Sequence, residues 1–184
     1  MQLLKEKTKT YHDTIEQNPY ATALFAQKFD NSALIPYLVK FWGFHKPMEE
    51  ILGAFKEWEL YNFDFGRRRK LHLLYTDLLA LGLDEQQIAK IPICTSLPQI
   101  QTFPQALGAM YVLEGSTLGG RVILRQMQKV AEKESAYFNS YGELTPLMWK
   151  EFCSLLSLYS QDHEQEILSA AIQTYEKLNA WMNF

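Results

Sequence analysis

The chain has 184 residues, with 18 Lys and Arg against 21 Asp and Glu, for a net charge of −3. This length favours one domain with a core that needs neither disulfides nor a structural metal, and the charge excludes the basic surface of a general nucleic-acid-binding protein. No apolar run approaches the roughly 18–20 residues that cross a bilayer, and the charged N-terminal segment has no signal-peptide core, so we expect a cytoplasmic protein without a membrane partner.

Helices are predicted for almost the whole chain, because apolar residues recur with helical spacing and the period-2 alternation of strands is scarce. The predicted helices cover residues 2–16, 20–28, 32–60, 66–81, a short stretch after Asp84, 104–133, 145–160 and 162–182, with an irregular segment at 138–142. The pattern predicts an all-α fold, a single bundle-like domain over residues 1–184.

Turn-forming residues set the predicted boundaries. Ser32 is the expected N-cap of the long third helix, and Pro47 is expected to kink or divide it. Gly82 is expected to end the fourth helix, and Asp84 to cap the short helix after it. Residues 91–104 contain three prolines and are predicted to form a loop.

His12 and Glu16 stand four residues apart at the edge of the apolar stripe of the first helix, a spacing at which helical side chains meet. A metal-bound histidine commonly donates its second ring N–H to such a carboxylate. Lys5 is two turns earlier, about 10.5 Å away along the axis, where a cation reaches the charged edge of a ligand centred on His12. The alternative is an exposed pair worth a few tenths of a kcal/mol, and spacing alone favours this alternative.

Residues 106–126, ALGAMYVLEGSTLGGRVILRQ, have a helical pattern that is interrupted by glycine. Gly108, Gly115 and Gly119 lie near one face, and Gly120 follows directly. Each glycine inside a helix costs about 0.8–1 kcal/mol relative to alanine. Two interpretations fit equally well: a neighbouring helix approaches this face closely, or a flat ligand rests on the exposed backbone and the helix kinks around it. Aromatic residues make up 14% of the chain, enough for some of them to line a site for such a ligand.

The other histidines and the basic run give weaker signals. His45 is surrounded by aromatic residues and is interpreted as a histidine at the edge of the core. His72 follows the basic residues 67–70, which are interpreted as a solvated helix start that could face an acidic electron-transfer protein. His163 lies near a predicted helix start, where a capping role is the simplest account. No histidine has a Glu three residues before it, which excludes a ferritin-like di-iron bundle.

Two segments together resemble the heme oxygenase family. LKEKTKTYHDTIE (residues 4–16) is similar to its proximal helix, where a Lys, a Thr, the heme-ligating His and a Glu recur at this spacing. YVLEGSTLGGRVI (residues 111–123) is similar to its glycine-rich distal helix, and EGSTLGG resembles the bacterial branch associated with bacteriophytochromes. Residues 138–152 and 170–181 also fit that branch, so the resemblance spans nearly the whole chain and implies a multihelical, heme oxygenase-like fold.

The resemblance implies roles for the first helix and for the edge of the heme. His12 would be the proximal iron ligand, with Glu16 beside it and Lys5 paired with a heme propionate. Other members have basic residues near the irregular segment that assist the propionates, whereas Ala136 and Tyr137 occupy that region in this chain. The further residues expected at the heme are Arg121, Arg125 or Tyr141, for the propionates, and Tyr111 and Tyr141, as aromatic borders.

The resemblance also implies roles in the distal helix. Gly115, Gly119 and Gly120 would let the backbone approach the heme and direct hydroxylation to one meso carbon. Well-known members carry an Asp after the first distal glycine, which organises waters that supply protons, whereas this chain has Ser116. A serine holds a water but supplies neither the charge nor the buffering of a carboxylate. Ser116 is interpreted as the variant of the bacteriophytochrome branch.

The implied function is heme degradation. Heme would be both cofactor and substrate, and O₂ with external electrons from a ferredoxin or a reductase would convert it to biliverdin, CO and iron, with a bacteriophytochrome as one possible recipient of biliverdin. A second hypothesis, motivated by Ser116, is a non-catalytic protein that stores, carries or senses heme. A third is the related all-α fold that processes thiamin-type substrates, which predicts no heme binding.

Overall fold

The computed structural model describes residues 2–184, and within this range it contains helices and no strand. The α-helices are α1 (Gln2–Glu16), α2 (Pro19–Ala26), α3 (Asn31–Gly53), α4 (Glu57–Leu60), α5 (Leu71–Ala80), α6 (Glu85–Ala89), α7 (Phe103–Ala131), α8 (Ala136–Asn139) and α9 (Thr145–Met182), and Gly66–Arg68 and Gly142–Leu144 form 3₁₀ turns. The predicted all-α fold is confirmed. None of the helices in this range combines the length and the apolar character that a bilayer-spanning helix requires.

The centre of the fold is the pairing of α7 with α9, and α1 also packs on α9. Gly108 allows the close approach of α7 to α9, since a Cβ there would stand 2.8 Å from the Ala170 Cβ and 3.0 Å from the Ala171 amide nitrogen. On the other side, α3 packs against α2 and α5, and α8 packs against α5 and α7. These helices enclose one core of buried apolar side chains.

Helix α3 continues through Pro47, so the expected division there is wrong. Proline lacks the N–H that the carbonyl four residues earlier would accept, and that carbonyl belongs to Gly43. The Cys94 amide donates to the Gly43 oxygen at 2.9 Å instead. The loop before α7 therefore replaces the missing helical hydrogen bond, and the helix does not break.

The predicted boundaries of the long third helix need two corrections. Its N-cap is Asp30, whose carboxylate accepts the Ser32 amide at 2.8 Å, so Ser32 lies inside the first turn. The helix ends at Gly53, and residues 57–60 form the separate short helix α4. The Trp58 indole donates to the Leu52 carbonyl at 2.8 Å, which satisfies a carbonyl at the end of α3.

Three other expectations meet different outcomes. Asp84 caps α6 through a capping box with Gln87, as predicted. The predicted helix 66–81 is instead a 3₁₀ turn and the shorter α5. The last two predicted helices form the single element α9, with a non-helical residue at His163 (φ −127°, ψ 21°), so His163 marks an interior break and not a cap.

Candidate functional site

A cleft lies between α1 and α7, and residues of α3, α8 and α9 close its other sides. Its volume is about 120 Å³, below the roughly 300–1,000 Å³ of typical small-molecule sites. A flat ligand therefore enters only if the two walls separate. The apolar part of the lining consists mainly of Ile15, Tyr37, Phe41, Val112, Ile123, Tyr137, Phe138, Tyr175 and Leu178.

His12 stands on the α1 wall of the cleft, with 48% of its side chain exposed. Its Nε2 lies 3.8 Å from the Glu16 Oε1, and its Nδ1 lies 3.9 Å from the Asp13 Oδ1. The edge of its ring meets Tyr175 of α9, with ring centroids 6.2 Å apart. Within residues 2–184, His12, Asp13 and Glu16 are the group whose ligand atoms lie close enough together to hold one metal ion.

The α7 wall carries Gly115, Gly119 and Gly120, which remain within a continuous helix. A Cβ at Gly119 would meet nothing within 4 Å, and one at Gly115 would meet only Trp149 at an ordinary 3.8 Å. Packing within the protein therefore does not require glycine at these two positions. At Gly120 a Cβ would stand 3.2 Å from the Phe138 carbonyl oxygen, so that glycine admits α8. Close helix packing thus accounts for Gly108 and Gly120, and open space toward the cleft remains at Gly119.

Two hydroxyl groups of α7 line the same wall. The Ser116 hydroxyl donates to the Leu113 carbonyl at 2.7 Å, and the Thr117 hydroxyl donates to the Glu114 carbonyl at 2.7 Å. Their hydrogens are therefore directed into their own helix. The lone pairs of Ser116 remain available to accept a hydrogen bond from a water or ligand in the cleft.

A buried histidine lies behind the cleft wall. The Nε2 of His45 is 3.1 Å from the hydroxyl of Tyr137, which lines the cleft. Burial, with a smaller contribution from the Lys70 charge, lowers the pKa of His45 to about 3, so the imidazole is neutral at pH 7. Burial also raises the pKa of the Tyr137 hydroxyl well above its usual value, and the Ser116 hydroxyl partly opposes this. His45 is fully buried and not at the edge of the core.

A buried ion cluster adjoins the cleft. Arg68 donates to the Glu114 carboxylate at 2.6 Å and to the Glu151 carboxylate at 3.0 Å. Lys70 lines the cleft and lies 3.5 Å from the other Glu114 oxygen. Burial lowers the pKa of Lys70 to about 8, and the negative charge of Glu114 opposes that effect. The interpretation of residues 67–70 as a solvated helix start is therefore wrong for Arg68 and Lys70, since both are buried.

Five residues expected at the ligand do not line the cleft. Arg125 is exposed on α7. Lys5 is exposed on α1, and Arg121 donates to the Asn139 side chain at 2.6 Å. Tyr111 is buried against Trp149, with ring centroids 5.8 Å apart. Tyr141 donates to the Glu114 carboxylate at 2.6 Å and accepts a hydrogen bond from Lys70, and burial raises its pKa.

The aromatic residues that do line the cleft were missed from sequence. They are Tyr37, Phe41, Tyr137, Phe138 and Tyr175. Tyr37 and Phe41 are four residues apart on α3, a spacing that marks a shared helix face but does not distinguish a cleft from the core. The pairing of Tyr137 with His45 joins residues 92 positions apart, and no local signal announces it.

Comparison with known proteins gives consistent results. The family model described as heme oxygenase matches residues 1–183. A heme oxygenase from Xanthomonas campestris pv. campestris (strain 8004) is 35% identical over 107 residues, which cover 56% of this chain and 56% of the relative. The chain therefore matches little more than half the length of that relative.

A solved structure resembles the whole fold. The structure of heme oxygenase from Leptospira interrogans matches with a TM-score of 0.74 and 18% sequence identity, over 99% of this chain and 97% of that chain. At this identity the similarity concerns the fold alone.

Proposed function

The chain belongs to the heme oxygenase family, and from this we propose that it binds heme in the cleft between α1 and α7 and degrades it to biliverdin, CO and iron. The observation that carries the proposal is the cleft itself, which joins His12 on one wall to Gly115, Ser116 and Gly119 on the other. We further propose that the chain belongs to the branch associated with bacteriophytochromes, which rests on the segment EGSTLGG.

The chemistry of the lining fits heme. Neutral imidazole is a good ligand for iron, and His12 is the one histidine among the described residues of the cleft. The unfilled space beside Gly119 suits a flat macrocycle lying against backbone, and aromatic and aliphatic side chains form most of the remaining lining. When bound, heme supplies both the iron that activates O₂ and the porphyrin that is consumed, with electrons from a ferredoxin or a reductase.

The residues of the chain bind and orient. His12 would hold the iron, and the nearby Glu16 carboxylate would fix the orientation of the imidazole, as partners of metal-bound histidines do. Gly115 and Gly119 would bring the α7 backbone against the opposite face, and Gly120 lets α8 support that backbone. Lys5 lies on the same face of α1 as His12, seven residues away, and we propose that it pairs with a heme propionate. Arg121, Tyr111 and Tyr141 contact other side chains of the protein. We therefore propose no direct contact of these three residues with heme.

A heme titration beside His12→Ala tests the binding step. We expect the unmodified protein and the control His72→Ala, which changes an exposed histidine outside the cleft, to give the same shift of the heme absorption band. His12→Ala should give a different spectrum or a loss of affinity. An unchanged spectrum in His12→Ala would show that another residue holds the iron.

Ser116 supports a second candidate, a protein that binds heme without degrading it. Its hydroxyl donates to Leu113 and cannot replace the charge of a carboxylate. Adding reductant, O₂ and an electron donor to the heme-loaded protein separates the candidates. Loss of the heme band with formation of biliverdin supports degradation. A persistent heme band, together with turnover by Ser116→Asp, supports the binding protein.

A further inference from the structure

The imidazole of His45 has one ring nitrogen bonded and one not. Its Nε2 pairs with the Tyr137 hydroxyl at 3.1 Å, while its Nδ1 is fully buried and has no hydrogen-bond partner in the protein. Buried polar atoms rarely lack a hydrogen-bond partner, so the unpaired Nδ1 of His45 requires an explanation.

A small cavity lies next to this nitrogen. It is lined by His45, Glu49, Lys70 and Glu114 among others and has a volume of about 10 Å³, close to what one water molecule needs. The Glu49 Oε1 stands 3.7 Å from the His45 Nδ1, too far for a direct hydrogen bond. A polar gap of this size is commonly bridged by a water, so one water here would join the carboxyl group to the imidazole.

Tyr137 connects the imidazole to the cleft. The Ser116 and Thr117 hydroxyls donate into α7, whereas the Tyr137 hydroxyl lies against a titratable side chain behind the wall. Tyr137 and Ser116 both line the cleft. Tyr137 therefore stands between the cleft and His45.

We propose that Tyr137 and His45 form a proton relay that carries protons from the Glu49 carboxyl group through a buried water into the cleft. The proposal rests on the proposed function, because heme degradation consumes protons in that cleft. Tyr137 is the group that faces the cleft, and His45 acts through it.

One passage of a proton along the relay consists of proton transfers alone, from Glu49 through the water and His45 to Tyr137. The Tyr137 O–H bond breaks as its proton enters the cleft, and the proton of the His45 Nε2 replaces it. The Nδ1 takes a proton from the bridging water, which takes one from Glu49 and leaves a carboxylate. The imidazole is neutral before and after and has changed tautomer, which suits a group that does not hold a positive charge at pH 7.

The Glu49 carboxylate can regain its proton from solvent. Burial raises the pKa of Glu49, although two backbone N–H groups oppose this, so Glu49 keeps its proton at a higher pH than an exposed carboxyl. Glu114 and Arg68 line the same small cavity. Arg68 pairs with Glu151, whose side chain is 47% exposed. Arg68 and Glu151 also line a pocket at the surface, so a proton from solvent would reach Glu49 along waters beside these charged groups, since the guanidinium itself does not release a proton.

The first arm of the test uses the protein without heme and follows the ¹⁵N and ¹H resonances of His45 by NMR. We expect a neutral imidazole from pH 5 to 8, a changed tautomer ratio in Tyr137→Phe, and at least threefold slower exchange of the ring N–H with solvent in Glu49→Gln. Tyr75→Phe, which removes a hydroxyl that is bonded to Glu85 and lines neither the cleft nor the small cavity, should change none of these. A charged imidazole at pH 7, or exchange that Glu49→Gln does not alter, would overturn the relay.

The second arm measures single-turnover heme degradation in H₂O and D₂O. We expect Tyr137→Phe to lower the rate by about 10²-fold or more, the usual contribution of a positioned proton donor, and to change the solvent isotope effect. The heme affinity should stay within about twofold of the unmodified protein, since Tyr137→Phe keeps the ring; His45→Gln should act in the same direction. Equal rates and isotope effects in Tyr137→Phe and Tyr75→Phe would overturn the relay.

The two arms separate the relay from the proposed function. If the unmodified protein binds heme without degrading it, degradation is wrong and the NMR arm alone decides whether protons pass through His45. If degradation occurs and Tyr137→Phe is as fast as the unmodified protein, the proposed function stands and the relay is wrong. A fall in unfolding temperature identifies any variant that fails to fold, and Tyr137→Phe, the mildest change, then carries the decision.

Discussion

One residue, His45, makes the free energy of unfolding depend on pH under acidic conditions. Its pKa is lowered to about 3 in the folded protein, mainly by burial, while an unfolded chain has a value near 6.5. Below pH 6.5 the unfolded state binds a proton that the folded state refuses, so the free energy of unfolding falls as pH falls from 6.5 toward 3. Above pH 6.5 the imidazole becomes neutral in both states, and His45 no longer lowers the free energy of unfolding.

We expect His45→Gln to have a weaker pH dependence than the unmodified protein. Between pH 7 and pH 5 this one group should lower the free energy of unfolding by about 2 kcal/mol, and the substitution removes that change. Urea unfolding at the two pH values measures it, with His72→Gln as the exposed control. The attribution to His45 fails if all three proteins lose the same free energy.

Gly108 and Gly119 lie in one helix and have opposite surroundings. A Cβ at Gly108 would collide with the backbone and side chains of α9, whereas one at Gly119 would meet nothing. We expect Gly108→Ala to lower the free energy of unfolding by about 1–3 kcal/mol through overpacking. Gly119→Ala should raise it by up to about 1 kcal/mol, because alanine is the better helix former.

The same pair of variants separates packing from ligand binding. Gly119→Ala should weaken heme binding even though it stabilises the fold, because the new methyl group occupies the space toward the cleft. Urea unfolding without heme and heme titration give the two readouts. Unchanged heme affinity in Gly119→Ala would show that this glycine does not provide space for heme.

Residues differ in how far sequence predicted them. The spacing of His12 with Glu16 and the pattern of the α7 glycines were visible, because both are local in the chain. The burial of Arg68 and Lys70 was not, since it depends on Glu114, which lies 46 and 44 positions away. A basic run looks solvated until its distant carboxylate partner is known.

At the scale of elements, the Arg68–Glu114 ion pair connects three elements of the fold. Arg68 lies in the Gly66–Arg68 turn, Glu114 lies in α7, and Arg68 also donates to the Met148 carbonyl of α9 at 2.8 Å. The two charged side chains are 3% and 2% exposed. Loss of the Glu114 charge would leave the buried Arg68 with only the half-exposed Glu151 as a partner and would leave the buried Lys70 charge without its carboxylate.

We expect Glu114→Gln to lower the free energy of unfolding by about 3–5 kcal/mol. Glu151→Gln is the matched control, because Glu151 pairs with the same arginine but is half exposed, and exposed pairs contribute about 0–1 kcal/mol. Equilibrium unfolding in urea compares the two. A similar small cost for both variants would mean that the buried pair does not fasten these elements.

Helix boundaries show what periodicity predicts and what it omits. The range of α1 and the cap of α6 follow from local pattern, and both were predicted. The continuation of α3 through Pro47 depends on the Cys94 amide, which lies in a loop that has no pattern of its own. Proline predicts a lost hydrogen bond correctly, and the tertiary fold decides whether another donor replaces it.

At the scale of the molecule, the narrow cleft implies that the α1 wall moves when a ligand enters. α1 packs mainly on α9, and among its residues only Leu4 and Thr8 are buried. α7 is packed on several sides and contributes much of the core. The wall that carries His12 is therefore the less firmly held one.

We expect the amides of α1 to exchange with solvent faster than those of α7 in the protein without heme, and to become protected when heme binds, because local opening follows sparse burial. Hydrogen exchange with and without heme measures this. His12→Ala should reduce the added protection, and protection that is equal in α1 and α7 before heme is added would contradict a mobile α1 wall.

The contact of α1 with α9 also has a consequence for biosynthesis. His12 is translated among the first residues of this sequence, but Tyr175 and Leu178, which line the same cleft, are translated among the last. The α1 wall therefore lacks its α9 neighbours until α9 has left the ribosome. A chain truncated before Tyr175 would keep His12 and lose the α9 ring against which the His12 imidazole packs.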